Sequence, residues 1–218
     1  MTRRAILIAL GAAALIAARP PMRVQPNPSA VIAAEIALNR LAREKGQWTA
    51  FRETAAKDAV MFAPEQVLAQ AWLKGRADPA QSVERRPHRA YVSCDGRLAA
   101  STGGWTRPDG SAGYFTTIWR LDKKGRWEWI LDHGDRLSAA REAPEFLVGK
   151  VATCRRGDRP RAPDRTVGDN GDDKAAPPPD DSLLWTAEVA PDKSRHIVVR
   201  MWTGQDYETV IDDRVAAP

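Results

Sequence analysis

The feature that most constrains this chain is a change of hydrophobic period part-way along it. Between residues 30 and 45, Ala34, Ala37, Leu38 and Leu41 recur at the spacing of one helix face. Ser29 stands where an N-cap belongs, and Gly46 where a helix closes. Trp48, Phe51 and Ala55 form a second, shorter stripe. Residues 58–62 read as a short strand ending at Pro64, and residues 65–73 as a third short helix. Beyond Gly75 the period falls to two. Residues 89–94, 98–106, 113–121 and 126–132 read as strands, divided by Asp95-Gly96, Arg107-Pro108-Asp109-Gly110 and Asp122-Lys123-Lys124-Gly125. Helices first and then a four-strand antiparallel meander predict an α+β fold, with the helices on one sheet face.

The two ends of the chain differ from this middle. Arg3-Arg4 is followed by fourteen residues without charge, Ala5 to Ala18, and then by Arg19-Pro20-Pro21. A positive start and a short apolar run are the plan of a signal peptide, residues 1–18, and the run is short of the about 20 apolar residues a membrane span needs. Cleavage is expected near Ala17 or Ala18, although Ile16 sits where a small residue is preferred for a cut after Ala18. Residues 19–28 read as an extended leader and 29–143 as the main domain. Residues 144–182, rich in Pro, Asp and Arg, read as a linker with a short strand near 151–154. Residues 183–215 read as three strands turning at Pro191-Asp192-Lys193 and Thr203-Gly204-Gln205. About thirty residues cannot hold a core alone, so this unit must dock on the main domain or on a partner.

Composition narrows the function. Of 218 residues, 43% are hydrophobic and 28% charged, which excludes wholesale disorder and a polytopic membrane protein. The net charge of +5 comes from 33 basic and 28 acidic residues that are interspersed, so nucleic acid is not an expected partner. Stable membrane insertion is not expected once a signal peptide is removed. Export gives meaning to the two cysteines, Cys94 and Cys154, which are expected to pair in an oxidising compartment, periplasmic or extracellular. The alternative is two buried free thiols.

The main segment resembles a known family. Glu35 and the helix through Leu41, Gly46-Gln47-Trp48, Phe51 and the run from Asp58 to Ala63-Pro64 are similar to the opening of NTF2-like proteins, in particular the SnoaL-like and DUF4440 group. Ser93-Cys94-Asp95-Gly96, Thr102-Gly103-Gly104-Trp105, Gly113-Tyr114-Phe115, Trp119-Arg120, Gly125-Arg126-Trp127 and Asp132-His133-Gly134 continue the likeness in order, over about residues 30–138. The resemblance implies a curved sheet wrapped over three helices, a cone with a cavity at its open end; the C-terminal strands lie outside it. The superfamily hosts isomerases, cyclases, dehydratases, hydrolases and non-catalytic binders, so fold alone implies no function. Steroid isomerases of this fold carry a general-base Asp just before the proline that ends the first strand. Here that position is Ala63, and a methyl group takes no proton.

Candidate chemistry is sparse. Strand alternation puts Trp127, Trp129, Leu131 and His133 on one face and Glu128, Ile130 and Asp132 on the other. Only one of Asp132 and His133 should therefore enter the cavity, where it could act as acid or base. The plainer alternative is that the pair ends the strand and bonds a neighbouring loop. Tyr91, Trp105, Trp119 and Trp129 are expected to line an apolar cavity of about 300 Å³ or more, suited to a small apolar or aromatic ligand. Plain core packing is the alternative for each Trp. His88, His133 and His196 lack metal-ligand spacing, and residues 169–173 resemble a calcium loop in composition only, so no metal is expected. No phosphate loop or nucleophile elbow is present and no cofactor is expected. The expected role is an exported, non-catalytic small-molecule-binding or interaction module, with a homodimer through the sheet as a further partner. The alternative is a small-molecule isomerase, dehydratase or hydrolase using Asp132 or His133.

The leader reading predicts a mature protein that starts close to Arg19. N-terminal sequencing of the protein purified from its native host checks this; an intact Met1 in a cytosolic fraction refutes it.

Overall fold

A computed structural model of the chain describes residues 24–154 and 180–218. The expected signal peptide and most of the expected linker lie outside the described residues. Helix α1 (Pro28–Lys45) starts earlier than the sequence suggests. Asn27, not Ser29, is its N-cap: the Asn27 side chain accepts from the Ser29 N–H at 3.0 Å. Pro28 then takes the first helical position, where a missing N–H costs nothing and the ring pre-sets φ. Gly46, at φ 106°, closes α1 and opens α2 (Gln47–Thr54). A Cβ there would collide with the Asp78 carboxylate, which accepts from the Trp48 and Thr49 N–H groups and so satisfies the start of α2.

Strand β1 (Ala55–Phe62) follows without a break. The third helix is shorter than expected. Ala63 N–H donates to Glu65 O, turning the chain back, and β2 (Gln66–Leu68) pairs antiparallel with β1 before α3 (Ala69–Leu73) begins. Pro64 ends the first strand in a turn rather than opening a helix. The meander is β3 (Glu84–Val92), β4 (Leu98–Thr106), β5 (Ala112–Leu121) and β6 (Trp127–Leu137). β7 (Val148–Val151) then joins β3 in parallel. The sheet order is β2-β1-β6-β5-β4-β3-β7, mixed because β1 also runs parallel to β6.

The helices cover one face of this sheet. Val31 and Leu38 of α1, Phe51 of α2 and Leu73 of α3 pack with Ala90, Val92, Trp119 and Trp129. The opposite face carries Tyr91, Leu98, Ile118 and Leu131. On it sits a second sheet of β8 (Leu183–Val189), β9 (Arg195–Trp202) and β10 (Tyr207–Val215), which contributes Leu183, Val199, Met201 and Ile211. The fold is thus α+β in three layers: helices, seven-stranded sheet, three-stranded sheet. The C-terminal strands dock on their own chain. A second copy meeting that face of the large sheet would have to displace them.

One irregularity decides which side chains reach which layer. On β5 and β6, Ile118 pairs with Leu131 but Trp119 pairs with Trp129, so Ile130 is an extra residue. Such a bulge resets the alternation. Trp129 and Asp132 therefore share the helix face, while Leu131 and His133 share the other. Strict alternation, which put Trp129 with His133, is corrected here.

Cys94, just past β3, and Cys154, just past β7, form a disulfide with Cα atoms 5.3 Å apart, inside the usual range. The bridge lies at the seam between the sheets: Cys94 N–H donates to Ser182 Oγ at 2.7 Å, and Thr153 N–H donates to Trp202 O. It spans 60 residues, for which loop-closure entropy gives roughly 4 kcal/mol as an upper figure. We expect Cys154→Ser to lose up to about 4 kcal/mol in denaturant unfolding, and thiol counting of the native protein under denaturing, non-reducing conditions to find none.

Candidate functional site

A cleft of about 150 Å³ opens between α1, α2 and the inner face of the large sheet. Its walls are largely apolar and aromatic: Leu38, Trp48, Phe51 and Met61 on one side, Trp105 and Phe115 on the other. Trp105 lies against Gly113, where a Cβ would come within 2.6 Å of the indole ring, and donates through Nε1 to Tyr114 O at 2.9 Å. The glycine is what lets the ring lie flat against the strand.

The floor is charged. Arg85 of β3 is only 6% exposed, and its guanidinium lies 3.9 Å from the centroid of the Phe115 ring. Nη1 donates to Asp132 Oδ2 at 2.8 Å; Nη2 donates to Thr117 Oγ1 at 2.5 Å and to Glu35 Oε1 at 3.4 Å. Thr117 Oγ1 donates its own hydrogen bond to Asp132 Oδ2 at 2.8 Å. Behind Arg85, Ser101 donates to Glu35 Oε1 at 2.7 Å and Trp119 Nε1 donates to Ser101 at 2.8 Å. Glu35 is wholly buried. Burial pushes its carboxyl above the ordinary value, and the Arg85 charge and the Ser101 hydroxyl offset this only in part. Glu35 Oε2 and Arg85 Nε are buried with no hydrogen-bond partner among the described residues.

The expected site residues are distributed unevenly. Asp132 lines the cleft and Trp105 forms part of its wall. His133 borders it too, but its side chain is sealed on the other face. There Nδ1 accepts from Arg195 Nε at 3.4 Å and Nε2 meets Asp213 Oδ2 at 3.3 Å, at the seam with β9 and β10. Burial opposes ionisation of Asp213, but hydrogen bonds from His133 and Thr116 and the charge of Arg141 hold its carboxyl below the ordinary range. Tyr91 belongs to the same outer layer and does not reach the cleft. Trp129 is core: its Nε1 donates to Phe51 O and Thr54 Oγ1, both at 3.1 Å. Trp119 borders instead a separate groove of about 380 Å³ beside α1, with Trp127, Ala34 and Leu41. The expected single cavity lined by four aromatic residues is therefore not what forms. Three of the four expected residues, Tyr91, Trp119 and Trp129, lie in packed layers, and the cleft has half the expected volume.

Reading the sequence missed Arg85 and did not assign Glu35 a role. A signal was available. Glu35 interrupts the apolar stripe Val31, Leu38, Ala42 of α1, and an acid on a buried stripe demands a partner. Among the described residues no group of three or more His, Cys, Asp or Glu side chains is placed to hold a metal.

No protein-family model and no curated protein matches the chain. Solved structures similar in fold are ketosteroid isomerase-like and NTF2-like proteins. A protein from Parabacteroides distasonis described as a candidate ketosteroid isomerase is 17% identical, covering 54% of this chain and 98% of its own, with a TM-score of 0.42. A ketosteroid isomerase-like protein from Erwinia carotovora atroseptica is 18% identical over 50% of this chain and 95% of its own, with a TM-score of 0.35. An NTF2-like protein of unknown function from Burkholderia xenovorans is 18% identical over 54% of this chain and 91% of its own, with a TM-score of 0.33. These likenesses carry no chemistry to this chain.

Two variants check the floor network. Arg85→Met leaves two carboxyl groups without their cation and should cost about 3–5 kcal/mol in denaturant unfolding. Glu35 binds its proton more tightly when folded than when unfolded. Its protonation thus favours folding fully below the ordinary value of 4.5, and that contribution fades as pH rises through the raised value. Stability of Glu35→Gln relative to the wild type should therefore improve from pH 4 upward, read by unfolding at a series of pH values.

Proposed function

We propose that this chain is an exported, non-catalytic module that holds one small, ring-sized ligand in the cleft above Arg85. The observation that carries this reading is that the charged groups of the floor are committed to one another beneath an aromatic mouth. Arg85 holds Asp132, Thr117 and Glu35, so the floor is a rigid, pre-organised polar surface. Asp132 has one oxygen engaged by two donors, and His133 is sealed away under the second sheet. Ala63, not an acid, precedes Pro64. A volume of about 150 Å³ is on the scale of a cavity that accepts one benzene ring, and too small for a fused multi-ring ligand. Export is supported by the Arg3-Arg4 leader pattern and by the disulfide.

Ligand-observed NMR with single-ring fragments tests the binding reading. Single-ring compounds should bind and shift the indole fluorescence, while four-ring steroids should not. Trp105→Ala should weaken the best fragment by about tenfold, since the ring supplies one wall. Absence of binding by every fragment, or tight binding of a steroid, refutes the reading.

A further inference from the structure

The hydrogen-bonding groups left over in the cleft are not balanced between donors and acceptors. Asn39 of α1 lines it, and its Oδ1 is taken by the Arg85 N–H at 3.1 Å. Gln47 lines it as well, and its Oε1 is taken by the Val83 N–H at 3.0 Å. With both amide oxygens used by backbone donors, the ends that remain are the two NH₂ groups, which can only donate. Neither makes a hydrogen bond among the described residues. Arg107 adds a third donor at the mouth, with its guanidinium 4.9 Å from the Trp105 ring centroid. No carboxylate within ion-pair distance holds Arg107 among the described residues; the hydrogen bonds to Asp109, two residues on, come from Ser111. Against these three stands one unengaged side-chain carboxylate oxygen, Asp132 Oδ1.

Charge points the same way. Asp132 offsets Arg85 at the floor, while Arg107 at the mouth has the exposed carboxylate of Asp109 near it but no ion pair among the described residues, and so is free to meet an anion. A site with three donors, one of them a guanidinium without an ion pair, and one acceptor recognises an acceptor-bearing anion.

We infer that the ligand of the cleft is a planar, single-ring carboxylate, its ring between Trp105 and Phe51 and its carboxylate taken by the amides of Asn39 and Gln47 and by Arg107. This rests on the cleft being a ring-sized binding site, and it adds the headgroup. An amine in place of the carboxylate would leave all three donors unpaired and set a cation beside Arg107, which the site should reject strongly.

The test titrates the full mature protein with benzoate, benzyl alcohol and benzylamine, read by isothermal calorimetry and saturation-transfer NMR. Benzoate should bind at least about tenfold more tightly than benzyl alcohol, and benzylamine should bind weakest, as expected when a charge-assisted hydrogen bond is gained or lost. Arg107→Gln, an exposed position whose change should not disturb folding, should cost about tenfold for benzoate and far less for benzyl alcohol. Equal binding of benzoate and benzyl alcohol, or preference for benzylamine, overturns the headgroup assignment while leaving the ring site standing. Failure of all three to bind overturns the cleft as a ligand site. Equal loss of both ligands in Arg107→Gln shows that Arg107 shapes the mouth without recognising an anion, and overturns its assigned role.

Discussion

The structure depends on one buried cation. Arg85 brings together α1 through Glu35, β5 through Thr117 and β6 through Asp132, from its own place on β3. Taking a guanidinium and two carboxyl groups out of water is expensive, and the cost is recovered only where geometry and further hydrogen bonds are good. Ser101 and Trp119 supply those bonds behind Glu35, and Phe115 offers its ring face to the guanidinium. The helix layer is therefore registered on the sheet by a specific polar contact as well as by packing. The cleft follows from this: it is the space left where the apolar helix face stops short of the charged floor.

A second constraint lies on the other side of the sheet. The face bearing Tyr91, Leu98, Ile118 and Leu131 is apolar and too broad to leave in water. Strands β8–β10, which cannot hold a core alone, bury it. The disulfide and the Cys94–Ser182 bond hold the seam at one end, and Asp213 with His133, Thr116 and Arg141 forms a polar cluster elsewhere between the sheets. His133 and Asp132, neighbours in sequence, thus serve different layers. Asp132 lines the cleft, and His133 takes part in the attachment of the C-terminal sheet.

The period switch, the turn signals and the two cysteines were legible without a structure. Local physics explains why: helical and strand periodicity, Asp-Gly turns and capping act over a few residues. The α+β class and the C-terminal three-strand unit followed from them. Local misreadings were also local in cause. Asn27 rather than Ser29 caps the first helix: its side chain takes the Ser29 N–H, and Pro28 between them suits the first helical position. Residues 66–68 pair with β1 because the turn after Phe62 returns the chain to a strand whose edge was unpaired.

The site was less legible. Asp132 and Trp105 were identified, but Tyr91, Trp119 and Trp129 were assigned to a cavity they do not line, and Arg85 was passed over. By itself the amino-acid sequence determined where helices and strands form, which residues are apolar enough to be buried, and that two cysteines were available to pair. It could not determine which face each apolar residue takes, because one extra residue at Ile130 resets the alternation for all that follows on β6. Nor could it determine that Glu35, Arg85 and Asp132 meet. Their contacts span 50 and 47 residues of chain, and only the closing of the sheet against α1 brings them within hydrogen-bonding distance.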